Sequence, residues 1–464
     1  MSSVPLSADT ISPALRPHPS KLFVELTTHC NLSCQMCVKQ SPGNEIVPGD
    51  MSRETFHALS SAFPTAEALI LNGIGESLLH PELEEFIRIA REAMPPESWI
   101  GFQSNGLLLD EQRALSLLKA GLDRICLSLD TLCPEMFRSI REGGEVADLE
   151  KAFAALRSAR KICPESRLQV GVEFVVMRDN LHQLPDVLRW ASVQGVDFVL
   201  VSHFLPYDFD QVTQAVFDTN SDRAVELYHS WKSRAESLGI DISQYFFINF
   251  YKFYRTDEEQ RVVDFVKDMV ADARSRDIFF HVRNLLARDE ILAEELVRVF
   301  DEAKAVAAEV GVSLKLPALS PRAERRCDFV EDGSVMVSWD GRVHPCYFLW
   351  HSYQCHFSYW RKYVPGLESP WGSSTALHFT YWKKSVQAKV FGSVANRDIL
   401  DIWNDPDFVS FRSEVLGSEY PCCSNCNLVP CDHLTADVFE KDCFNTAVPC
   451  GDCFWGLGIY NCLQ

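Results

Sequence analysis

The sequence predicts an α/β fold: a parallel sheet that curls into a full or partial barrel, followed by a helical stretch and a cysteine-rich C-terminal region. Three observations carry this expectation. Between Lys21 and about Phe204, short apolar, β-rich runs alternate with helical patterns, and six strands so arranged need the helical crossovers of a parallel sheet. Residues able to do chemistry, among them Cys30, Gly75, Asn105, Asp130 and Asn180, fall at or just after strand ends. Loops at the C-terminal ends of parallel strands form the active rim of such sheets. Finally, eleven of the seventeen cysteines follow residue 326, which marks a second, metal-rich region.

Taken in order, residues 1–20 are rich in Ser and Pro and read as a disordered N-terminal segment. Strands are expected over 21–27, 68–72, 99–104, 124–129, 168–177 and 197–202, with helices over 53–63, 81–94, 111–120, 149–162 and 181–194. Ser52 and Asp110 are placed as N-caps, and Gly121 and Gly195 stand just past helix ends. The barrel region is therefore 21–205. Residues 206–326 carry helical patterns at 223–238 and 290–310 around an aromatic run at 245–254, and read as a helical insertion. From Cys327 the character changes: 335–339 reads as a strand, Asp340-Gly341 as a hairpin turn, and cysteines and aromatics dominate 327–464.

Composition narrows the function. With 44 Lys and Arg against 64 Asp and Glu, the net charge is -20 and no basic block stands out, which argues against nucleic acid as a partner. No stretch of 18 apolar residues and no signal-like N-terminus is present, so the expectation is a cytoplasmic protein without a membrane partner. In a reducing compartment, seventeen cysteines are metal ligands sooner than disulfides.

The stretch Thr27 to Lys39 holds Cys30, Cys34 and Cys37, spaced Cys-x3-Cys-x2-Cys directly after the first strand. Structural zinc wants four ligands, whereas three thiolates on one loop leave a coordination position open. Iron-sulfur clusters are held by thiolates at such short spacings, and an iron without a protein ligand can take a small molecule. The second strand closes on Gly73-Ile74-Gly75-Glu76, where glycines let backbone approach a ligand and the carboxylate can meet an ammonium group; the same residues would also make an ordinary helix-capping turn. Ser104-Asn105-Gly106 and Ser128-Leu129-Asp130, at the next two strand ends, read equally well as turns and caps. Cys126 reads as a buried structural thiol.

The spacing at Cys30, Cys34 and Cys37 resembles the signature of the radical S-adenosylmethionine (SAM) superfamily, with Met36 where an aromatic residue often precedes the third cysteine. The resemblance implies a partial (β/α)6, TIM-like barrel in which these cysteines hold a 4Fe-4S cluster whose open iron binds SAM. An electron from the cluster then cleaves SAM to a 5'-deoxyadenosyl radical. It implies SAM contacts at Gly73, Gly75, Glu76, Asn105, Ser128 and, through the Ile140-Arg141 pair, at Arg141. The spacing Cys327-x13-Gly341-x4-Cys346, with Cys423, Cys426, Cys431, Cys443, Cys450, Cys453 and Cys462 behind it, resembles the SPASM extension, which implies one or two auxiliary iron-sulfur clusters. The step from Cys426 to Cys431 is one residue shorter than usual, and Tyr347 stands where sulfatase-maturing relatives carry an acidic base. A zinc-ribbon tail is the alternative on the residues alone.

The C-terminal layout is most similar to SPASM proteins described as metalloenzyme maturases. The expected activity is thus a radical SAM oxidoreductase that modifies a peptide or protein side chain, fed by an electron donor such as ferredoxin or flavodoxin. Two rivals are a ribosomal-peptide crosslinking enzyme and a non-enzymatic iron-sulfur or metal carrier. A carrier has no need of Glu76, Asn105 and Ser128 aligned on one rim.

Overall fold

The computed structural model describes residues 12–41, 44–207, 209–218, 220–276, 278, 282–322, 327–357, 382–417, 456 and 458–463. The first strands and helices alternate as β1 (Lys21–Val24), α1 (Arg53–His57), β2 (Ala68–Ile70), α2 (Leu83–Ala93), β3 (Trp99–Ser104), α3 (Glu111–Ala120), β4 (Arg124–Ser128), α4 (Pro134–Ile140), α5 (Val146–Ile162), β5 (Gln169–Val176), α6 (Leu184–Val193) and β6 (Phe198–His203). The strands pair in parallel in chain order, β1 to β6, as the crossover argument requires. Local punctuation falls where the residue types put it. Ser52 caps α1 through the Thr55 amide, Asp110 caps α3 through the Arg113 amide, and Gly121 ends α3 at φ 104°, in the left-handed region that a residue with a Cβ avoids.

The rest of the chain is α7 (Asp222–Ser237), α8 (Tyr245–Tyr251), α9 (Asp257–Ser275), α10 (Val282–Ala287), α11 (Glu290–Val310), β7 (Ser313–Lys315), α12 (Asp328–Glu331), β8 (Ser334–Val337), β9 (Arg342–His344), β10 (Tyr353–Phe357), β11 (Trp382–Val386), β12 (Gly392–Ser393), α13 (Ile399–Trp403) and α14 (Pro406–Gly417). Among the described residues one ten-stranded sheet runs β12-β9-β8-β1-β2-β3-β4-β5-β6-β7, with β10 and β11 as a separate antiparallel pair.

Three features depart from the sequence expectations. The stretch 206–326 is not all insertion: β7 adds to β6 in parallel, and Leu296, Val299, Phe300 and Ala303 of α11 pack into the main core. Among the described residues, α7 to α10 have a core of their own, built on residues such as Tyr228, Phe265, Val266 and Met269. The hairpin after Cys327 turns at Gly341 (φ 81°) as expected, but β8 pairs in parallel with β1, from Lys21 opposite Ser334 to Val24 opposite Val337, so it extends the barrel sheet. Finally, residues 12–20 are held in place, contrary to the expected disorder. Trp403 Nε1 donates to Arg16 O at 2.7 Å and Arg412 Nε to Ala14 O at 3.1 Å, while Ser20 N donates to Gly333 O. Arg412 is itself buried and stacks on Trp403, with its guanidinium carbon 3.8 Å from the ring centre.

Candidate functional site

The sheet's inner face is legible in its burial pattern. On β3 to β5, Phe102, Leu127, Leu129, Val172, Phe174 and Val176 have at most 0% exposure, while the residues between them, Gln103, Ser128, Glu173 and Val175, keep partial solvent access. Successive strand side chains point to opposite faces, so the accessible set lines one water-reachable lumen. Gln103 Nε2 donates to Glu173 across the intervening β4, which shows how tightly the sheet is curled.

The loop carrying Cys30, Cys34 and Cys37 leaves β1 at the rim of this lumen, and all three thiols are partly accessible. Burial pushes the Cys34 thiol up to about 11, with Cys30, Cys37 and Asp130 adding to the rise and Arg141 opposing it; burial likewise raises Cys37. The three thiols therefore feel one another's charge. Among the described residues no three His, Cys, Asp or Glu groups converge enough to hold a single metal ion. Tetrahedral zinc thiolates would sit about 3.8 Å apart. Three mutually coupled thiols on one loop, with Asn105 and Arg141 beside them, fit a cluster with one free iron.

Around the loop, Gly75 presses on the backbone: a Cβ there would overlap Thr27 O and His29 O. The amide of Glu76 then donates to His29 O at 2.7 Å, tying the second strand end to the cysteine loop. The Glu76 carboxylate is buried and accepts from Leu78 N (3.0 Å), Ser104 Oγ (2.8 Å) and Asn105 N (2.7 Å). Burial raises its pKa, against those three donors and the more distant Arg141. Asn105 Nδ2 in turn donates to Asn31 Oδ1 at 2.7 Å and lies 3.9 Å from Cys30 Sγ. Gly73 is packed by Glu25, whose Oε1 accepts from Ile74 N at 3.1 Å.

Arg141 is buried, and its Nε donates to Asp130 Oδ2 at 2.7 Å; Asp130 Oδ1 accepts from Val175 N at 2.9 Å. Burial opposes the guanidinium's charge, but Asp130, Cys34 and Glu173 outweigh it and hold the pKa above its ordinary value. Ser128 lies on the lumen face of β4, opposite Glu173 in register. Thus Gly73, Gly75, Glu76, Asn105, Ser128 and Arg141 gather at one end of the lumen with Cys30, Cys34 and Cys37.

The later cysteines divide. Cys327 and Cys346 flank the hairpin and are partly accessible, whereas Cys462 is buried in the main core beside Cys126 and Tyr347. Cys423, Cys426, Cys431, Cys443, Cys450 and Cys453 lie outside the described residues.

Sequence reasoning missed Glu25 and Glu173. Desolvation raises each pKa to about 7. The available signal was a single carboxylate within an otherwise apolar strand, in Leu22-Phe-Val-Glu25 and Val172-Glu173-Phe174, a position that a surface residue would not occupy. A carboxyl whose folded pKa is raised is bound to more protons in the folded than in the unfolded state between the two values. Stability is therefore lost as pH rises from about 4.5 to about 7. Glu25→Gln is expected to reduce that loss, seen as a smaller drop in urea midpoint between pH 5 and pH 7.5; an identical drop in both proteins would place the titration elsewhere. At Glu76, replacement by Ala strands three donors and removes a charged acceptor. SAM affinity of the reconstituted protein is expected to fall roughly ten- to a hundredfold, the span of about 1.5 to 3 kcal/mol for a hydrogen bond to a charged group. Calorimetry showing no loss would leave Glu76 a purely structural cap.

Two family models match parts of the chain. The radical SAM superfamily model matches residues 24–191, and the model of the SPASM iron-sulfur cluster-binding domain matches residues 327–427. The chain is 27% identical over 447 residues to the tungsten-containing aldehyde ferredoxin oxidoreductase cofactor-modifying protein of Pyrococcus furiosus, covering 95% of this chain and 96% of that one. It is also 29% identical over 190 residues to a probable GTP 3',8-cyclase of Methanococcus maripaludis, covering 40% of this chain and 59% of the relative. Among solved structures, Streptococcus suis SuiB bound to S-adenosylmethionine aligns at a TM-score of 0.46 and 12% identity, over 86% of this chain and 68% of that one. Residues 24–191 are therefore a radical SAM superfamily domain and residues 327–427 a SPASM domain; the chain is an enzyme that depends on a 4Fe-4S cluster and SAM, with auxiliary iron-sulfur binding in the SPASM region.

Proposed function

We propose that the chain is a metalloenzyme maturase, modifying a side chain of a peptide or protein substrate or the metal cofactor that such a protein carries. The supporting observation is the match to the Pyrococcus furiosus cofactor-modifying protein along nearly the whole of both chains, spanning barrel, insertion and tail alike. In this reading Cys30, Cys34 and Cys37 hold the SAM-binding cluster, which supplies an electron to cleave SAM reductively. Glu76 and Asn105 fix the second and third strand ends against the cysteine loop, and Arg141, held by Asp130, keeps a positive charge beside it for the SAM carboxylate. Gly73 and Gly75 let the second strand end close against Glu25 and the cysteine loop, which sets the rim beside the thiols. Cys327 and Cys346, with cysteines of the tail, hold the auxiliary clusters.

Electrons come from a small redox partner such as ferredoxin or flavodoxin, and the reaction is cytoplasmic. Among the described residues no helix is long and apolar enough to cross a membrane. The reading is tested by anaerobic incubation with SAM, reductant and the apo form of a tungsten or molybdenum oxidoreductase. The expected result is 5'-deoxyadenosine together with a mass change in the target protein or its extracted cofactor. Formation of 5'-deoxyadenosine with the target unchanged, and modification of a short precursor peptide instead, would replace maturation by peptide crosslinking.

A further inference from the structure

Apart from Cys462, the C-terminal residues 458–463 have no place in the cofactor reading, yet they run through the lumen. Ala318 N donates to Gly458 O at 2.9 Å, at the rim where Nε2 of His203, the last residue of β6, lies 2.9 Å from Ala318 O. Further along, Ser202 Oγ donates to Asn461 O at 2.6 Å and Asn461 Nδ2 to Val201 O at 3.1 Å. Leu463 ends in a cluster with Cys126 and Leu200, against Trp99 and Phe198, and the latter two open β3 and β6. The segment therefore descends antiparallel to β6 from the rim to the opposite end of the barrel. Ile459, Cys462 and Leu463 are buried, whereas Tyr460 keeps partial access and is close enough to Glu173 and Cys37 for both to raise its pKa, after the larger effect of burial.

We propose that residues 458–463 form a built-in wall of the active-site lumen, filling its lower half and confining the substrate's reacting group to the rim side, where Glu173 and Tyr460 meet it. This rests on the reading of the lumen as the SAM site. The pattern of access supports it: Ser128 on β4 is reachable by water, but Cys126, two residues earlier on the same face, has 0% exposure beneath the tail. An enzyme that generates a carbon radical has to keep small hydrogen donors from the space around it, and a filled lower lumen does so. The wall thus acts as a determinant of specificity: a side chain or cofactor edge entering from the rim reaches the site, and solutes have nowhere to accumulate.

The test compares the full reconstituted chain with a deletion of residues 459–464 and with Leu463→Ala, which keeps the backbone of the tail. Alkylation of Cys126 by iodoacetamide, read by peptide mass spectrometry, is expected to be roughly tenfold or more faster in the deletion, because a filled, protected site becomes an open one. Leu463→Ala is expected to give a smaller rise in the same direction. In the second readout, SAM is cleaved under dithionite with perdeuterated 2-propanol present. Transfer of the C2 deuterium atom to the 5' carbon leaves the ketyl radical of the alcohol, two of which disproportionate to one acetone and one 2-propanol. Deuterium in 5'-deoxyadenosine is expected to rise severalfold in both variants. Equal shielding of Cys126 in all three chains, or in full-length and Leu463→Ala protein where the deletion does not fold, overturns the wall. Calorimetry with SAM separates the two levels: if the full-length chain fails to bind SAM, the lumen reading falls, whereas SAM binding with unchanged Cys126 reactivity removes the wall alone.

Discussion

Cys30, Cys34 and Cys37 replaced together by Ala are expected to abolish 5'-deoxyadenosine formation and to remove about four iron atoms from a total of about twelve, if each of three clusters is 4Fe-4S. The tail cysteines lie at the other end of the chain, so about eight iron atoms and their absorption should stay with the triple variant. Iron and sulfide analysis after anaerobic reconstitution reads the first quantity, and chromatography of the cleavage products the second. The physical basis is that the loop's thiols lie beside Asn105 and Arg141, and SAM held elsewhere would lack those contacts. Unchanged 5'-deoxyadenosine yield would sink the assignment. A total of about four iron atoms with stoichiometric zinc in the intact protein would leave the barrel reading standing and turn the tail into a zinc site.

The second large effect is expected at Arg141. Its side chain is 9% exposed and that of Asp130 is 0% exposed, so Arg141→Met leaves a buried carboxylate without its cation. Removing one partner of such a pair costs about 3 to 5 kcal/mol, because the remaining charge has lost its compensation. The urea midpoint should fall accordingly, and the double variant Arg141→Met, Asp130→Asn should recover part of the loss, since a neutral side chain no longer carries the stranded charge. If the double variant is no more stable than the single one, the cost lies in packing and not in charge. SAM affinity should fall in both variants, because neither restores the guanidinium beside the cysteine loop. This separates the ligand role of Arg141 from its structural one.

Much of the fold was legible because it depends on local patterns. Alternation of apolar runs with amphipathic helices, N-caps at Ser52 and Asp110 and a left-handed Gly121 are set by residues close in sequence, and the structure has each of them. The ends of elements were less legible: the helix expected over 53–63 stops at His57, because the turns that follow satisfy its last carbonyls, with Leu59 N donating to Phe56 O and Ser60 N to His57 O. Glu25 and Glu173 stand out locally only as single carboxylates in apolar strands, and that signal does not say which face each one presents to a lumen. Only the neighbours do so, and these come from β3, the hairpin and the tail.

The sequence by itself determined the chemistry and the rim: three thiols on one strand-end loop, glycines and a carboxylate at the next strand end, and a cysteine-rich tail, each a short-range pattern that survives any arrangement of the remainder. Tertiary structure alone decided that β8 joins β1, that α11 and β7 belong to the barrel and not to the insertion, and that residues 458–463 return to line the lumen. These pairings link positions hundreds of residues apart, as Ser202 does with Asn461. Their energy comes from burying complementary surfaces and satisfying backbone groups on another part of the chain, so no window of sequence contains it.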